Sequence, residues 1–294
     1  MTTQKQNAKQ TAKEAVAIIG AMGHMGQRLH NSLKDSSRYR LLYVEGSREK
    51  EQQLEAMGLV PSSKEDVARE ADIVVFAVPD SIAGVVAHDV VPALRPGTLV
   101  VFLDPAAPHA GALPKRDDIS LFVTHPAHPP VFNDETDPKA RRDYFGSGLA
   151  KQAIINALVQ GPEEDYDRGE QLAQEMFGPI LRSHRVTLEQ MALLEPGLTE
   201  TVAATCIKVI RDAMDITVAR GVPFDAAKDF LLGHINIELA ILFDEIEWDF
   251  SAGAKQAMAD AERMIFRSDW QSVLSDEEVL KSVRRIAGMG NNGS

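Results

Sequence analysis

The segment THPAHPP, residues 124–130, carries two histidines among three prolines. The imidazole ordinarily titrates near neutral pH, so histidine often moves protons in catalysis, and its neutral form binds metal ions. Each proline fixes its own φ angle and stiffens the loop. We therefore interpret His125 and His128 as candidate catalytic residues on a rigid segment. The alternative is that either ring is structural or simply exposed.

A carboxylate, Glu195, directly precedes Pro196 and Gly197. Proline lacks the N–H that continues a helix, and it disfavours helical geometry at the residue before it. We therefore predict that a helix breaks or kinks at this point and exposes the Glu195 carboxylate to a cavity. The alternative is a surface kink with a solvated acid.

A glycine-rich turn follows the apolar run that begins at Val16, with the spacing G-x-x-G-x-x-G. Glycines allow a tight turn, a close approach to a pyrophosphate and close packing of the next helix. The free N–H groups at the start of that helix then bind the pyrophosphate. Met22 stands where the commoner pattern has glycine, and Gly23 is expected to supply the close approach instead. The predicted cofactor-binding residues in this turn are Gly20, Ala21, Met22, Gly23, His24, Met25 and Gly26.

An acidic residue, Glu45, ends the next apolar run 19 residues after Gly26. A carboxylate at that place hydrogen-bonds the ribose hydroxyls of NAD and repels the 2′-phosphate of NADP. Arg48 is near enough to leave the preference open. Val78, Pro79 and Asp80 end the third run, so their backbone is predicted to lie beside the cofactor.

Continuous apolar runs indicate strands buried on both faces of a parallel sheet. Helical stretches separate these runs, an alternation that predicts a doubly wound α/β domain of the Rossmann type. The predicted strands are Val16–Ile19, Leu41–Val44, Ile73–Val78, Leu99–Leu103, Leu121–Val123 and Ala153–Leu158. Ligands bind outside the carboxyl ends of such strands. Residues 104–108 and the histidine segment follow the fourth and fifth runs, and so lie at the expected mouth of the site.

The pattern changes near residue 186. Residues 187–190 match a capping box, and the chain beyond has no strand candidate as far as Phe243. We therefore predict a disordered leader over residues 1–14, an NAD-binding Rossmann domain over 15–186 and an all-helical domain over 187–294. In the helical part, His234 and Glu238 stand one turn apart and could share a ligand. Cys206 lies on an apolar stripe and is predicted to be core.

Charge and composition exclude several classes of function. The net charge is −12, which disfavours nucleic acid as a partner. No apolar run approaches the ~20 residues of a membrane span, and the N-terminus lacks the apolar region of a secretory signal. A single cysteine suits the reducing cytoplasm. We therefore expect a cytoplasmic protein without a membrane or nucleic-acid partner.

Several of these segments together resemble one family, the D-apionate oxidoisomerases. They are VAIIGAMGHMG, the strand-end Glu45, THPAHPPVF, RVTLEQMALLEPGLTETVAAT and GVPFDAAKDFLLGHINIELAILF. The resemblance covers residues 15–285. Members of this family are NAD-dependent enzymes whose C-terminal domain is similar to that of the decarboxylating phosphogluconate dehydrogenases.

The resemblance implies a particular reaction. NAD oxidises the hydroxyl next to the carboxylate of a branched, anionic sugar acid, and the resulting 2-oxo acid rearranges by a 1,2-carbon shift. A divalent ion (Mg, Mn or Zn) would stabilise the charge on the vicinal oxygens. His125 and Glu195 are then candidate metal ligands, one from each predicted domain. Without a metal, His125 would act as general base. Related dehydrogenases bury their helical domains against a partner, which predicts a homodimer.

Three other interpretations remain open at this point. The glycine turn also resembles that of the dihydrodipicolinate reductases, although their histidine-rich segment has no counterpart here. A prephenate- or phosphogluconate-dehydrogenase-like hydroxyacid dehydrogenase would also place a His-Pro pair after a late strand. A non-catalytic NAD sensor would need neither the His125 segment nor a cavity-facing Glu195.

Overall fold

A seven-stranded sheet is the frame of the structure, a computed structural model that describes residues 12–290. The order across the sheet is β2-β1-β3-β4-β5-β6-β7. The strands are β1 (Glu14–Ile19), β2 (Tyr39–Val44), β3 (Ile73–Phe76), β4 (Leu99–Phe102), β5 (Ser120–Pro126), β6 (Gln152–Gln160) and β7 (Ile180–Arg185).

Helices cover both faces of this sheet. On one face, α1 (His24–Leu33), α2 (Arg48–Ala56) and α6 (Glu163–Phe177) contribute to one apolar cluster. On the other, α3 (Lys64–Glu70), α4 (Asp80–Val90), α5 (Ala106–His109) and α7 (Leu188–Ala192) contribute to a second. Every residue of β3 and β4 is buried, which explains why their sequences, IVVF and LVVF, are continuously apolar. The predicted doubly wound Rossmann fold is confirmed.

Two features of the sheet differ from the prediction. The sixth strand, β6, runs antiparallel to β5. The connection between them contains a 3₁₀ turn at Ala140–Arg142 but no crossover helix, and a parallel return needs a crossover. The seventh strand, β7, was not predicted. Its sequence ILRSHR has no fully buried residue, so its apolar signal is weak.

The fifth strand is longer than the apolar run that predicted it. It continues to Pro126, so His125 is a strand residue that pairs with Ile155 of β6 rather than part of the loop beyond. Pairing on this side makes its backbone more rigid than a proline-stiffened loop would be. His128 lies in the following connection.

Beyond the sheet the chain is helical, and the predicted break at Pro196 takes an unexpected form. The capping box at Thr187 is present and starts α7. The helix does not end at Pro196 but continues as a π-helix, Leu193–Ala204. A π-helix has i→i+5 hydrogen bonds in place of the i→i+4 bonds of an α-helix. The change occurs around Pro196, which lacks the N–H that an α-helix would use. The remaining helices are α8 (Thr205–Ala219), α9 (Phe224–Leu242), α10 (Ala252–Ile265) and α11 (Asp276–Ile286).

The chain divides into two compact units between Glu195 and Pro196. The first unit consists of the chain up to Glu195 together with the residues from Leu280 onward. The second unit is Pro196–Val279. The sequence placed a domain boundary nine residues earlier, near residue 186. Residues 1–11 of the predicted leader lie outside the described residues, and Glu14, its last residue, is the first of β1. Within residues 12–290, no helix is both long enough and apolar enough to cross a membrane.

Candidate active site

The glycine turn between β1 and α1 requires glycine at two positions for steric reasons. Gly20 has a φ of 86°, and a Cβ there would lie 2.7 Å from the carbonyl oxygen of Ala77 at the end of β3. A Cβ on Gly26 would lie 2.3 Å from the carbonyl oxygen of Gly20. The first glycine therefore lets the turn pass close to β3, and the last lets α1 pack directly on the turn.

Met22 does not need to be glycine, because only two non-glycine residues of the described chain have a positive φ and it is not one of them. Its backbone N–H donates to Oε1 of Glu45. The Glu45 side chain is 2% exposed, and Lys50 Nζ lies 3.7 Å from its other oxygen. Glu45 therefore supports the glycine turn at the end of β2, where the sequence placed an adenosine-binding carboxylate.

The start of α1 is suited to an anion. Its N-cap, Gly23, has no side chain to satisfy the first N–H groups, and the first turn has no acidic residue. By contrast, α2, α3 and α6 all have acidic residues in their first turns. Uncapped N–H groups and the positive end of the helix dipole together attract a phosphate. His24 and Met25 lie in this first turn.

Asp80 contributes more than the backbone contact predicted from the sequence. Val78 packs against the Gly20 position, Pro79 caps α4, and Asp80 begins that helix. Burial raises the pKa of the Asp80 carboxyl to about 6, and the charge of Asp104 acts in the same direction, while His125 opposes both. Ionised Asp80 is thus disfavoured in the folded protein, and its ionisation lowers stability as the pH rises from 3.8 to about 6.

A hydrogen bond to the backbone determines which nitrogen of His125 is available. Nδ1 lies 2.8 Å from the carbonyl oxygen of Leu103, which can only accept, so Nδ1 carries the proton. In the neutral ring the lone pair is therefore on Nε2. That atom lies 3.5 Å from Oε2 of Glu195. Two acceptors at this distance repel each other unless a proton or a cation lies between them.

Asp104 completes a three-residue cluster. The register of β4 and β5 pairs Phe102 with Val123, so Leu103 and Asp104, which follow β4, run beside Thr124 and His125 at the end of β5. Oδ2 of Asp104 lies 3.9 Å from Nδ1 of His125, and Oδ1 accepts from the N–H of Ala106 at 2.7 Å. One donor atom each from Asp104, His125 and Glu195 lie within 4.8 Å of one another.

The donor set of this cluster fits a divalent cation. Two ligands bound at about 2.1 Å to one ion are at most about 4.2 Å apart, so the His125–Glu195 distance fits and the full set needs only small shifts. One imidazole and two carboxylates suit Mn²⁺ or Zn²⁺, and the carboxylates also suit Mg²⁺. All three residues belong to the unit that ends at Glu195.

His128 lies next to this cluster but is held by a different contact. Its ring centroid is 6.4 Å from that of His125, and its Nδ1 lies 3.1 Å from the carbonyl oxygen of Phe145. The side chain is exposed. Its φ of 60° is unusual for a residue with a Cβ.

Two predictions about the helical part concern residues outside the cluster. His234 and Glu238 line a groove in the Pro196–Val279 unit, where the His234 ring stacks on Phe230 at 4.1 Å. Cys206 is partly exposed and lines a second groove, so within the single chain it is not part of the buried core.

Sequence reasoning missed Asp104 as a candidate ligand. Its signal was present, because it directly follows the fourth apolar run, in the segment that the sequence had already placed at the mouth of the site. It also missed the carboxyl of Asp80, whose altered pKa depends on burial that no local pattern shows.

Family models match both parts of the chain. Residues 133–287 match the model described as phosphogluconate dehydrogenase (decarboxylating) C-term. Residues 10–134 match the acetohydroxy acid isomeroreductase NADPH-binding domain. The first match agrees with the C-terminal similarity expected from the sequence, whereas the second was not predicted.

Individual relatives cover nearly the whole chain. A D-apionate oxidoisomerase of Cupriavidus necator is 52% identical over 93% of this chain and 99% of its own length. One of Pectobacterium atrosepticum is 36% identical over 90% and 93%, respectively. A C. necator protein described as a semialdehyde dehydrogenase NAD-binding protein, solved with calcium and NAD, superposes with a TM-score of 0.90 at 52% identity, covering 94% of this chain and all of that one.

A Jannaschia sp. oxidoreductase superposes with a TM-score of 0.86 at 43% identity, over 94% of this chain and 99% of that one. Because relatives with 36–52% identity extend over at least nine tenths of its length, this chain belongs to the D-apionate oxidoisomerase family.

Proposed function

We propose that this protein uses NAD to oxidise the 2-hydroxyl of D-apionate, or of a closely related branched sugar acid, and rearranges the product to 3-oxo-isoapionate. The observation that carries the proposal is the convergence of Asp104, His125 and Glu195 at the carboxyl ends of β4 and β5. The names of the relatives, including D-apionate oxidoisomerase at 52% identity, support this substrate.

The proposed reaction has two steps that balance. In the first, hydride leaves C2 for the nicotinamide and the hydroxyl proton goes to a base, which gives a 2-oxo acid. In the second, the C3 hydroxyl loses a proton while a hydroxymethyl group migrates from C3 to C2. C3 becomes a ketone, the oxygen at C2 takes up a proton to give a tertiary alcohol, and no further oxidant is needed. The first step develops negative charge on the C2 oxygen, and the second moves it from the C3 oxygen to the C2 oxygen.

The Asp104–His125–Glu195 cluster suits this distribution of charge. A divalent ion bound there would supply Lewis-acid stabilisation of the two oxygens. The hydrogen bond from Nδ1 of His125 to the carbonyl oxygen of Leu103 leaves the lone pair of the neutral ring on Nε2, which faces Glu195. The ring is therefore oriented to bind a cation or to accept a proton. In the absence of metal, His125 would be the general base for the C2 hydroxyl, and the exposed His128, whose ring centroid is 6.4 Å away, would exchange protons beside it.

The cluster generates a prediction for catalysis. His125→Ala and Glu195→Gln are each expected to lower kcat by about 10²–10⁴-fold, the usual range for loss of acid–base or charge-stabilising groups. Asp104→Asn should also weaken Mn²⁺ binding to metal-free protein, as measured by calorimetric titration. His88→Ala and Glu164→Gln, exposed residues of α4 and α6, are the matched controls and should retain activity. Near-normal turnover of D-apionate in both His125→Ala and Glu195→Gln would contradict the assignment.

The cofactor is proposed to be NAD rather than NADP. The buried Glu45 carboxylate places negative charge where the adenosine ribose is expected, and a 2′-phosphate there would be repelled. Arg48, which left this preference open in the sequence, is held by Glu51 and Glu55 on its own helix. These contacts direct its guanidinium toward Glu51 and Glu55, while the cation beside Glu45 is Lys50, at 3.7 Å.

This arrangement predicts a change in cofactor selectivity. Glu45→Gln should weaken NAD binding by about 10–100-fold, because hydrogen bonds to a charged group contribute on the order of 1.5–3 kcal/mol. It should also narrow the preference for NAD over NADP. Arg48→Ala should leave the ratio of the two dissociation constants unchanged. Fluorescence titration with both cofactors measures these effects, and equal or tighter NADP binding by the wild-type protein would overturn the assignment of Glu45.

A homodimer is the proposed assembly, and burial within the helical unit supports it. In Pro196–Val279, the buried apolar side chains larger than alanine are Pro196, Met214 and Val279. Large apolar residues are instead exposed, including Phe230 at 70% and Met264 at 85%. Leu198, Val209 and Ile216, which share one helical face in the sequence pattern, are exposed as well. An apolar surface of this extent is typical of an interface, and a second copy would supply the missing core.

The dimer prediction is tested by sedimentation. At micromolar concentration the wild-type protein should have twice the chain mass of 32.2 kDa. Phe230→Asp should weaken the dimer at least about tenfold, as expected for a central aromatic of an interface. Val85→Asp, on exposed α4, alters an equally exposed residue, 73% accessible, and should leave the dimer intact. A wild-type monomer would contradict the proposal.

The cytoplasm is the proposed setting for this NAD-dependent enzyme, because its single cysteine suits a reducing compartment.

A further inference from the structure

The backbone carbonyl of Phe145 is shared by two side chains from distant parts of the chain. Nη1 of Arg28 donates to it at 3.2 Å, and Nδ1 of His128 lies 3.1 Å from it. Arg28 belongs to α1, the helix whose start is the proposed pyrophosphate site. His128 belongs to the connection after β5. One oxygen therefore links the cofactor-binding helix to a candidate catalytic histidine.

Arg28 is an unusual residue for this place because its charged group is buried. The residue is 7% exposed, and its guanidinium lies 5.1 Å from the ring of Phe145 and 5.0 Å from that of Phe177. Nη2 has no hydrogen-bond partner among the described residues. Burial lowers the pKa of Arg28 to about 10, against the opposing charge of Asp143. Two aromatic rings and the carbonyl oxygen of Phe145 thus hold the buried guanidinium in place.

The turn that contains Phe145 has its own means of folding. The Asp143 carboxylate accepts from the backbone N–H groups of Ser147 at 2.7 Å, Leu149 at 3.0 Å and Ala150 at 3.2 Å. These bonds close the turn without Arg28. The contribution left for Arg28 is therefore to set where the Phe145 carbonyl lies, rather than to fold the turn.

The position of that carbonyl matters because of the conformation of His128. Its φ of 60° is strained for a residue with a Cβ, and such strain persists only where the surroundings hold it. Because a carbonyl only accepts, the bond to Phe145 puts the proton of the neutral ring on Nδ1 and leaves the lone pair on Nε2. His128 is thus held in the same tautomer as its neighbour His125, whose ring is 6.4 Å away.

We propose that Arg28 is a positioning residue for His128, acting through the carbonyl oxygen of Phe145 from the cofactor-binding helix. The role of His128 in catalysis rests on the proposed function, but its orientation does not. Arg28 lies one helical turn beyond His24, so a shift of α1 when cofactor binds would be transmitted to the histidine through this one oxygen. No contact between Arg28 and substrate is required.

The first test measures orientation without turnover. In ¹⁵N-histidine NMR spectra of the Arg28→Met protein, His128 should lose its preference for the Nδ1–H tautomer, while His125 keeps its own. Arg28→Lys retains a donor and a buried cation, and should restore part of the preference. Asn31→Ala, an exposed residue of the same helix, is the control and should change neither ring. An unchanged His128 tautomer in both Arg28 variants would overturn the proposal, whether or not the protein acts on D-apionate.

The second test is a double-mutant cycle on activity. Arg28→Met should lower kcat about tenfold, the scale of one hydrogen bond to a charged group, with little change in the KM for NAD. In the His128→Ala background the same substitution should have no further effect. The midpoint of thermal unfolding should fall by no more than about 4 °C, since about 1 kcal/mol corresponds to 2–4 °C in a chain of this size. Fully additive losses would show that Arg28 acts independently of His128 and would contradict the proposal.

Discussion

The hydrogen bond between Nδ1 of His125 and the carbonyl oxygen of Leu103 is the interaction on which the candidate site depends. It commits the proton of the ring to the side facing β4 and leaves Nε2 as an acceptor toward Glu195. A neutral ring with the opposite tautomer would donate from Nε2 to the carboxylate and form an ordinary hydrogen bond. With the tautomer that this bond implies, Nε2 of His125 and Oε2 of Glu195 are two electron-pair donors 3.5 Å apart, a spacing that suits a cation or a shared proton.

The sheet makes this interaction possible. Because β4 and β5 are adjacent and parallel, their carboxyl ends lie side by side, and Leu103 and Asp104 follow one strand where His125 ends the next. The antiparallel pairing of β6 then fixes the backbone of His125 from its other side. Glu195 arrives from a helical segment whose geometry changes to π around Pro196. His125 and Glu195 are therefore positioned by regular backbone structure, and Asp104 by the short bend between β4 and α5.

Much of this arrangement could be predicted from the sequence because the relevant signals are local. Glycine spacing after an apolar run predicts the cofactor turn, and buried runs predict the strands. The rule that ligands lie at the carboxyl ends of strands directed attention to His125, and Pro196 directed it to Glu195, 70 residues away. The 3.5 Å approach of the two side chains follows from none of these signals alone.

The features that escaped prediction depend on tertiary contacts. The direction of β6 depends on the path of a 25-residue connection, and β7 has a polar sequence that resembles a loop. Helix propensities predict that a helix ends near Pro196, but they do not predict that it continues as a π-helix. Arg28 reads as an ordinary polar residue of an amphipathic helix, and only the position of Phe145, more than a hundred residues later, reveals that its charge is buried.

The measurement that most directly tests this account is the tautomer of His125 in metal-free protein at neutral to mildly alkaline pH, by long-range ¹H–¹⁵N correlation NMR. The account predicts that Nδ1 is protonated and Nε2 is not, and that added Zn²⁺ perturbs Nε2 of His125 first. A ring protonated on Nε2, or a Zn²⁺ titration that leaves His125 unchanged, would contradict the claim that Leu103 directs the His125 lone pair into a cation-binding cluster with Glu195 and Asp104.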